Sequence, residues 1–298
     1  MTFSAYLAPL DLEESLRKEL KGITAQYGRL FLAEGPVQKV HWAQNIWHDP
    51  QIYSFKSLSD AAKKLRSLQK LWSFYPYGQI RKGALITSQL PYFSPKPLPF
   101  LSEVPSAPLG SWTLLDENTL LASPTCSSPF AQGEIQFEET KLPPSRAYLK
   151  LWELFTLLKV WPKPNQVCLE IGASPGSWTW VLNQLQAKIF AVDRAPLDPA
   201  IARLPNVSFL KKDAFTLTPS DFPKLDWLFS DAICYPEKLL VWLEKWLNLD
   251  INLACTLKFQ GNSGYEIIQE FEKIPNSQIL HLSHNKHELT WVKLSKNS

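Results

Sequence analysis

The stretch Val167-Cys-Leu-Glu-Ile-Gly-Ala-Ser-Pro-Gly-Ser-Trp178 decides the fold class of this chain. It opens as an apolar segment interrupted only by Glu170, which is typical of a buried parallel strand. Gly172 and Gly176 then predict a turn, and residues 178–185 predict a helix. Strand, glycine turn and helix together let a small ligand approach bare backbone beside a helix N-terminus. The glycine spacing is not that of a dinucleotide site, which disfavours a nicotinamide-dependent oxidoreductase, and no Gly-Lys-Ser/Thr follows for phosphates.

Apolar segments continue to alternate with helical ones after the glycine turn. The further strands predicted in this part of the chain are 188–192, 207–210, 225–229 and 251–257. This alternation predicts an α/β fold with a mostly parallel sheet and right-handed crossovers. Two last segments, 279–282 and 289–294, predict an antiparallel tail. No internal repeat is found.

Three aspartates lie at or just after the ends of successive predicted strands: Asp193, Asp213 and Asp231. The carboxyl ends of parallel strands form the edge at which open α/β sheets bind ligands. Asp193 lies about twenty residues past the glycine turn, where an acid holds ribose hydroxyls in nucleoside-binding folds. Any one of the three could equally be a turn residue or a helix cap. Their shared placement favours a ligand site, and an acidic set suits a cationic nucleoside such as S-adenosylmethionine better than a pyrophosphate.

Two lysines and a glutamate are further candidates. Lys258 ends the apolar strand 251–257, and a half-buried lysine is costly unless it is paired or functional. Glu288 lies where the last strand begins, and Lys150 lies on the helix predicted before the glycine turn.

Composition sets wide bounds. The chain has 298 residues and 45% hydrophobic residues, enough for one large domain or two ordinary ones with a packed core. A net charge of +3 permits an anionic partner without requiring one. We expect no membrane span and no signal peptide. The four cysteines are scattered along the sequence, and we expect them to form neither disulfides nor a zinc site. Together these features predict a cytoplasmic protein.

The first half of the chain predicts a small α+β module. Its helices are predicted at 11–20, with Asp11 as N-cap, and at 59–72, and its short strands at 5–10, 30–33 and 38–42. The segment 91–108 contains six prolines and predicts an extended connector. A hairpin is predicted at 112–121. We place the domain boundary near residue 140, which gives domains 1–139 and 140–298.

A basic and aromatic patch lies in this first half. Its members are Lys63, Lys64, Arg66, Lys70, Phe74, Tyr75, Tyr77, Arg81 and Lys82. Cations for phosphates interleaved with rings for bases are what RNA binding requires. The alternative is a solvated helix face followed by core aromatics, and these residues alone favour it.

The second half resembles the FtsJ-type RNA 2′-O-ribose methyltransferases. The resemblance covers residues 140–298 and rests on seven segments in order: Pro144-Ser-Arg-Ala-Tyr-Leu-Lys150, Glu170-Ile-Gly-Ala-Ser-Pro-Gly-Ser-Trp178, Asp193, Lys212-Asp-Ala-Phe215, Ser230-Asp231, Leu257-Lys258 and Glu288. The family's Lys-Asp-Lys-Glu tetrad falls on Lys150, Asp231, Lys258 and Glu288. Glu170 replaces the usual aspartate, and Ser177 replaces a usual glycine.

The chain is most similar to the branch of the family that methylates a cytidine ribose in bacterial large-subunit ribosomal RNA. The segment from Ser128-Pro-Phe130 to Pro144-Ser-Arg146 and the extra first half carry this similarity. That branch has an N-terminal RNA-binding region with a THUMP domain. The resemblance therefore implies a reduced THUMP-like, RNA-binding domain at 1–139.

The resemblance implies a Rossmann-like methyltransferase fold and a role for each matched residue. S-adenosylmethionine is the implied cofactor, with Asp193 at its ribose, Asp213 at its adenine and Asp231 by its sulfonium. The other implied cofactor-site residues are Ser145, Glu170, Gly172, Ser174, Pro175, Gly176, Ser177 and Trp178. Lys258 is the implied base for a ribose 2′-hydroxyl, with Lys150 and Glu288 positioning the nucleotide. A free lysine is only about 0.1% neutral at pH 7.4, so alignment of the hydroxyl with the methyl group is a second source of rate.

The resemblance and the residues together predict an enzyme whose partner is RNA, most specifically ribosomal RNA. Alternatives that remain open are a transfer-RNA substrate and a non-catalytic RNA-binding protein on the same scaffold. Three histidines, His281, His284 and His287, could suggest a metal, but their spacing crosses a strand and a turn. We therefore predict no metal site and no membrane partner, and a monomer is favoured.

Overall fold

The computed structural model describes residues 2–260 and 264–296 of the chain. The chain divides into two compact units, Met1–Glu138 and Glu139–Ser298. None of the helices within the described residues is long and apolar enough to cross a membrane.

The first unit contains two four-stranded sheets and three helices. Its strands are β1 (Phe3–Leu7), β2 (Ile23–Tyr27), β3 (Leu30–Glu34), β4 (Asn45–Trp47), β5 (Gln51–Ser54), β6 (Trp72–Phe74), β7 (Gly110–Leu114) and β8 (Thr119–Ser123). Its helices are α1 (Glu13–Glu19), α2 (Leu58–Leu68) and α3 (Ile80–Thr87). One sheet has the order β2-β3-β1-β4 and the other β5-β8-β7-β6. Among the strands named here, all pairs are antiparallel except that of β6 and β7.

One predicted strand and one predicted helix cap of this unit are wrong. Residues 38–42 form no strand, because their backbone N–H groups bond to side chains: Gln38 donates to the Tyr6 hydroxyl at 2.7 Å, and His41 and Trp42 donate to the Glu19 carboxylate. Helix α1 begins at Glu13, and Asp11 has a φ of +62° and does not cap it.

The second predicted helix also ends earlier than expected. It stops at Leu68 because Gln69 is extended, and the indole of Trp72 donates back to the Leu65 carbonyl at 3.0 Å while its backbone enters β6. An apolar residue at helical spacing thus packs on the helix from a neighbouring strand.

The proline-rich segment 91–108 lies inside the first unit. It joins α3 to β7, and β7 pairs with β6 on one side and β8 on the other. The predicted connector therefore joins elements within the first unit and does not join the two units, because the hairpin that follows it is part of the first unit's second sheet.

The second unit is a seven-stranded sheet with helices. Its strands are β9 (Val167–Ile171), β10 (Lys188–Asp193), β11 (Val207–Lys211), β12 (Trp227–Ser230), β13 (Asn252–Lys258), β14 (Ser277–Leu280) and β15 (Glu288–Lys293). Its helices are α4 (Tyr148–Leu158), α5 (Ser177–Gln184), α6 (Pro199–Ala202), α7 (Pro236–Leu243) and α8 (Ile267–Glu272).

The strand order of this sheet is β11-β10-β9-β12-β13-β15-β14. All pairs are parallel except those of β15, which runs antiparallel to both β13 and β14. The predicted fold class is confirmed. The strand order reverses direction at β9, between β10 and β12, and a crevice at the carboxyl ends of the strands forms at such a point.

Candidate active site

The glycine turn follows β9 at this crevice. Gly172 has a φ of +71°, and a Cβ atom there would overlap the backbone of Ala232. Gly176 has a φ of +111° and leads directly into α5; its Cβ would lie 2.7 Å from Ile201 Cγ2. Both positions require glycine, because an L side chain would be strained in φ and would clash. The turn therefore brings bare backbone to the edge of the sheet.

Ser145, Ser177 and Trp178 tie the start of α5 to the segment before α4. The Ser177 hydroxyl accepts from the Ser145 N–H at 3.0 Å, and the Trp178 indole donates to the Ala147 carbonyl at 2.9 Å. Ser177 and Trp178 are buried. These hydrogen bonds hold the glycine turn against the segment before α4. A contact of Ser145, Ser177 or Trp178 with the cofactor stays a prediction.

Asp193 ends β10 and faces the turn. Its carboxylate accepts from the Ser174 N–H at 3.0 Å and from the Ala195 N–H at 2.8 Å, and the Ser174 hydroxyl donates to the Pro196 carbonyl. Each carboxylate oxygen has room for a further donor, since an ionised carboxylate accepts about four hydrogen bonds. Asp193 is thus fixed in place with acceptor capacity left for a ribose diol.

Asp213 follows β11 on the neighbouring side of the crevice. Its carboxylate accepts from the Phe215 N–H at 3.1 Å and pairs with the Arg194 guanidinium. The bond from the Phe215 N–H, and next the Arg194 pair, lower the pKa of Asp213. A cavity of about 300 Å³ joins Gly172, Asp193 and Asp213 and is walled by Phe215 and Ile233. Carboxylates and apolar side chains that line one cavity can hold an adenosine, and the same lining includes the cations Arg194, Lys212 and Lys238.

The four predicted tetrad residues meet at the same edge, although they come from four separate elements. Lys258 Nζ lies 3.0 Å from Asp231 Oδ1 and donates to the Asp231 carbonyl at 2.7 Å. Lys150 Nζ lies 3.4 Å from the same Oδ1 atom and pairs with Glu288 Oε1. Lys258 and Glu288 are also opposite one another in the β13–β15 ladder. The result is one continuous chain of charges, Lys258–Asp231–Lys150–Glu288.

The tetrad is mostly shielded from water, with side-chain exposures between 11% for Glu288 and 23% for Lys258. Burial alone favours the neutral amine of Lys150, but the attraction of Asp231 and Glu288 outweighs it and raises the pKa of Lys150. Two lysines and two carboxylates balance in formal charge. A buried group of charges is tolerated when it is paired in this way.

Glu170 lies beneath the site rather than in it. Its side chain projects from the middle of β9, the residue is only 2% exposed, and its carboxyl accepts from the Thr179 hydroxyl at 2.6 Å. Burial, reinforced by the nearby negative charges of Asp231 and Asp193, raises the pKa of Glu170 to about 8. The structure therefore assigns Glu170 a contact between β9 and α5, and its contact with a cofactor stays a prediction.

Three supporting residues were missed in the sequence. Arg194 pairs with Asp213, Thr179 bonds Glu170, and the buried Glu153 on α4 accepts from the Ser283 and His284 N–H groups and from His284 Nδ1. Glu153 holds the loop before β15, and so the start of the strand that carries Glu288. The sequence does indicate a role for Glu153. It is an acidic residue within the apolar segment 148–158, one helical turn after Lys150, and a buried carboxylate requires a hydrogen-bonding partner.

The three histidines do not converge. His284 bonds Glu153, and His287 Nε2 lies 2.6 Å from the Tyr265 hydroxyl. Within residues 2–260 and 264–296 no group of three His, Cys, Asp or Glu side chains could hold a metal ion. A larger cavity of about 690 Å³ lies at the opposite, amino end of β9, β12 and β13, beside Gln166, Asp226 and Asn252, and contains none of the predicted site residues.

Comparison with protein families matches residues 143–261 to the FtsJ-like methyltransferase family. A ribosomal RNA large subunit methyltransferase M of Halorhodospira halophila is 36% identical over 107 residues, which are 35% of this chain and 31% of that protein. The protein of the same name from Xanthomonas oryzae pv. oryzae is 29% identical over 249 residues, covering 78% of this chain and 68% of its own length.

Among solved structures, a putative hemolysin from Streptococcus thermophilus is 18% identical, with a TM-score of 0.45 over 57% of this chain and 75% of that chain. A similarity of this size bears on neither substrate nor activity.

Proposed function

Because residues 143–261 match the FtsJ-like methyltransferase family, we propose that the chain is a member of that family and an S-adenosylmethionine-dependent RNA 2′-O-ribose methyltransferase acting on ribosomal RNA. The observation that carries the proposal is the assembled chain Lys258–Asp231–Lys150–Glu288 beside the glycine turn. The relatives named ribosomal RNA large subunit methyltransferase M support ribosomal RNA as the substrate.

The crevice fits the proposed cofactor. S-adenosylmethionine supplies a methyl group on a positively charged sulfur. Asp193 keeps acceptor capacity for ribose hydroxyls, Asp213 lies across the 300 Å³ cavity for the adenine, and Phe215 and Ile233 provide apolar walls. The absence of a Cβ at Gly172 keeps the turn against Ala232, so backbone rather than a side chain would border a cofactor bound beside this turn. Asp231 adds a negative charge suited to a sulfonium.

Lys258 is the residue proposed to meet the acceptor hydroxyl. Its amino group already makes two bonds to Asp231, one to Oδ1 and one to the carbonyl. A lysine nitrogen has three positions besides its bond to Cε, so a single position remains for a ribose 2′-hydroxyl. Asp231 thereby fixes the direction in which that position points. Lys258 must first release one proton of its own, and the remaining position then carries the nitrogen lone pair. That lone pair would receive the proton of an aligned 2′-hydroxyl as the oxygen becomes a nucleophile.

Lys150 and Glu288 complete the charge balance. Lys150 stays protonated between two carboxylates, as its raised pKa requires. Its charge can stabilise negative charge that develops on the acceptor oxygen. Glu288 offsets Lys150, which leaves Asp231 available to orient Lys258. The proposed roles are therefore proton acceptance by Lys258, orientation by Asp231, and nucleotide positioning by Lys150 and Glu288.

The first unit is proposed to supply RNA affinity, but without the predicted stacking aromatics. Phe74 packs on Trp112 with ring centroids 4.6 Å apart, Tyr75 is buried and donates to the Tyr27 carbonyl, and Tyr77 packs edge-on against Tyr27. Tyr75 thus belongs to the core, and the half-buried Phe74 and Tyr77 rings pack against core residues, so all three rings are engaged with protein and the predicted stacking on RNA bases is not supported.

The cations of the patch divide into two sets. Three of them are engaged within the unit: Lys64 pairs with Asp60, Arg66 donates to the Gln89 carbonyl, and Lys82 donates to the Glu117 carbonyl. Three others, which we call the exposed basic set, are exposed to solvent: Lys63, Lys70 and Arg81. This set is the part of the patch that can contact phosphates.

The proposal is tested by incubating the purified full chain with S-adenosylmethionine carrying a labelled methyl group and with unmethylated large-subunit ribosomal RNA. Methylation of a ribose 2′-oxygen blocks attack on the adjacent phosphate, so the label should appear in alkali-resistant dinucleotides. Label in alkali-sensitive mononucleotides would contradict 2′-O chemistry. Transfer RNA is incubated in a parallel reaction. Label in transfer RNA alone would contradict ribosomal RNA as the substrate, and label in neither RNA would contradict methyltransferase activity.

A further inference from the structure

The loop between β12 and α7, residues 232–235, exposes two large side chains directly after Asp231. Ile233 is 94% exposed and Tyr235 is 57% exposed. Single exposed apolar residues are common on protein surfaces. Two in a four-residue loop at the catalytic edge of the sheet point to contact with something that is absent from the free protein.

The two ends of this loop border different parts of the site. At the first end, Ala232 lies against Gly172, and Ile233 lines the cavity assigned to the adenosine. At the other end, the Tyr235 hydroxyl donates to Gln260 Oε1 at 3.0 Å. Gln260 lies two residues beyond Lys258. The loop thus begins at the cofactor side of the tetrad and ends beside the segment that follows Lys258.

Two hydrogen bonds therefore join the segment that follows β12 to the end of β13 and the residues after it. The first is the bond from Lys258 to the Asp231 carbonyl, and the second is the bond from Tyr235 to Gln260. The second bond holds the Tyr235 hydroxyl in place while more than half of the residue stays open to solvent. A ring fixed in this way loses little conformational entropy when a flat ligand stacks on it.

We propose that Tyr235 and Gln260 form the subsite for the base of the RNA nucleotide that is methylated, with the base stacked on the Tyr235 ring. The inference rests on the proposed function. A ribose that presents its 2′-hydroxyl to Lys258 carries its base on the adjacent carbon, so the base must lie close to Lys258. A cofactor bound in the cavity that Ile233 lines would occupy the Ile233 end of the loop. Tyr235 is the exposed aromatic ring on the other end of the same loop.

The test compares Tyr235→Ala with Tyr235→Phe in the full chain, using the large-subunit ribosomal RNA fragment that wild type labels. Loss of ring stacking should lower kcat/KM for Tyr235→Ala by about tenfold to a hundredfold. Tyr235→Phe keeps the ring, and its kcat/KM should fall by about fivefold or less because the hydrogen bond to Gln260 is missing. Affinity for S-adenosylmethionine, measured by calorimetry, should stay at the wild-type value in both variants and also reports that each is folded.

An RNA with an abasic ribose at the methylated position separates stacking from a structural role. For the wild-type protein, removal of the base should lower kcat/KM by about the same factor as the Tyr235→Ala substitution does on intact RNA. For Tyr235→Ala, removal of the base should cause no further decrease in kcat/KM. Equal losses from base removal in both proteins, or an unchanged kcat/KM for Tyr235→Ala on intact RNA, would overturn the subsite. A wild type that labels no RNA would instead overturn the proposed function, and this inference with it.

Discussion

Replacing Glu170 by Gln should make the stability of the second unit less dependent on pH. The Glu170 carboxyl is buried, its bonded partner is the neutral Thr179 hydroxyl, and the nearby charges of Asp231 and Asp193 are negative. Its pKa therefore rises from about 4.5 to about 8 on folding. Between these two values the folded protein holds a proton that the unfolded chain has released, so the free energy of unfolding falls as pH rises.

The size of the effect follows from proton linkage. Each pH unit between the two pKa values changes the free energy of unfolding by about 1.4 kcal/mol. Glutamine has the same shape and cannot titrate. Between pH 5 and pH 8 the variant should therefore gain up to roughly 4 kcal/mol relative to wild type, with most of the gain complete near pH 8. At pH 5 the two proteins should be closely similar, because a protonated glutamate and a glutamine are both neutral.

The assay is urea unfolding followed by circular dichroism at pH 5, 6.5, 8 and 9, applied to the transition in which the second unit unfolds. All other titrating groups are shared by the two proteins and cancel in the difference. The matched control is Glu244→Gln, an exposed carboxylate on the segment after α7, which should show no pH-dependent difference. A wild-type-minus-variant difference that is the same at every pH would refute the argument from burial.

Asp193→Ala and Asp213→Ala should each weaken S-adenosylmethionine binding by about 1–3 kcal/mol in calorimetry, because each removes a charged hydrogen bond; Asp221→Ala, which removes a carboxylate that accepts from the Thr218 N–H outside the cavity, should change nothing. Glu153→Gln should destabilise the second unit by about 1–3 kcal/mol in thermal or urea unfolding, because the amide cannot accept all three donors that the carboxylate accepts; wild-type stability would show that the loop before β15 does not depend on it. Neutralising the exposed basic set to glutamine should weaken RNA binding and make the salt slope shallower, by as much as about 0.9 for each phosphate that is no longer neutralised, without affecting cofactor affinity. The control for that variant replaces three other exposed lysines of the first unit: Lys18, Lys21 and Lys39. Equal salt slopes for the two triple variants would leave the exposed basic set as an ordinary solvated surface.

The second unit was predictable because its local signals agree with its global fold. Buried parallel strands are continuous apolar segments, and the two glycines occupy positions that accept no other residue. Once the strand ends were known, the meeting of Asp231 with Lys258 followed from parallel topology. The position of Lys150 came from resemblance alone, since nothing in helical spacing shows which strand a helix residue will face.

The first unit was less predictable because its signals are short and ambiguous. Trp72 continues the apolar spacing of α2 but lies on a strand that packs against it. Tyr75 follows a basic helix as a base-stacking ring would, yet its hydroxyl accepts from the Arg29 N–H at 2.8 Å in the core. Sequence spacing shows where aromatic rings occur but not what they contact. Whether a ring packs in the core or can stack on RNA depends on how distant strands pair in the fold.

The role of Lys258 in the tetrad is tested most directly by single-turnover methyl transfer by Lys258→Ala. With wild-type RNA substrate and saturating S-adenosylmethionine, the variant should transfer the methyl group at least about a hundredfold more slowly, because the group that receives the hydroxyl proton is gone. Its affinity for the cofactor should change little, and Lys245→Ala, an exposed lysine beyond α7, should react at the wild-type rate. A Lys258→Ala protein that keeps near-normal turnover on this RNA would contradict the role assigned to the tetrad.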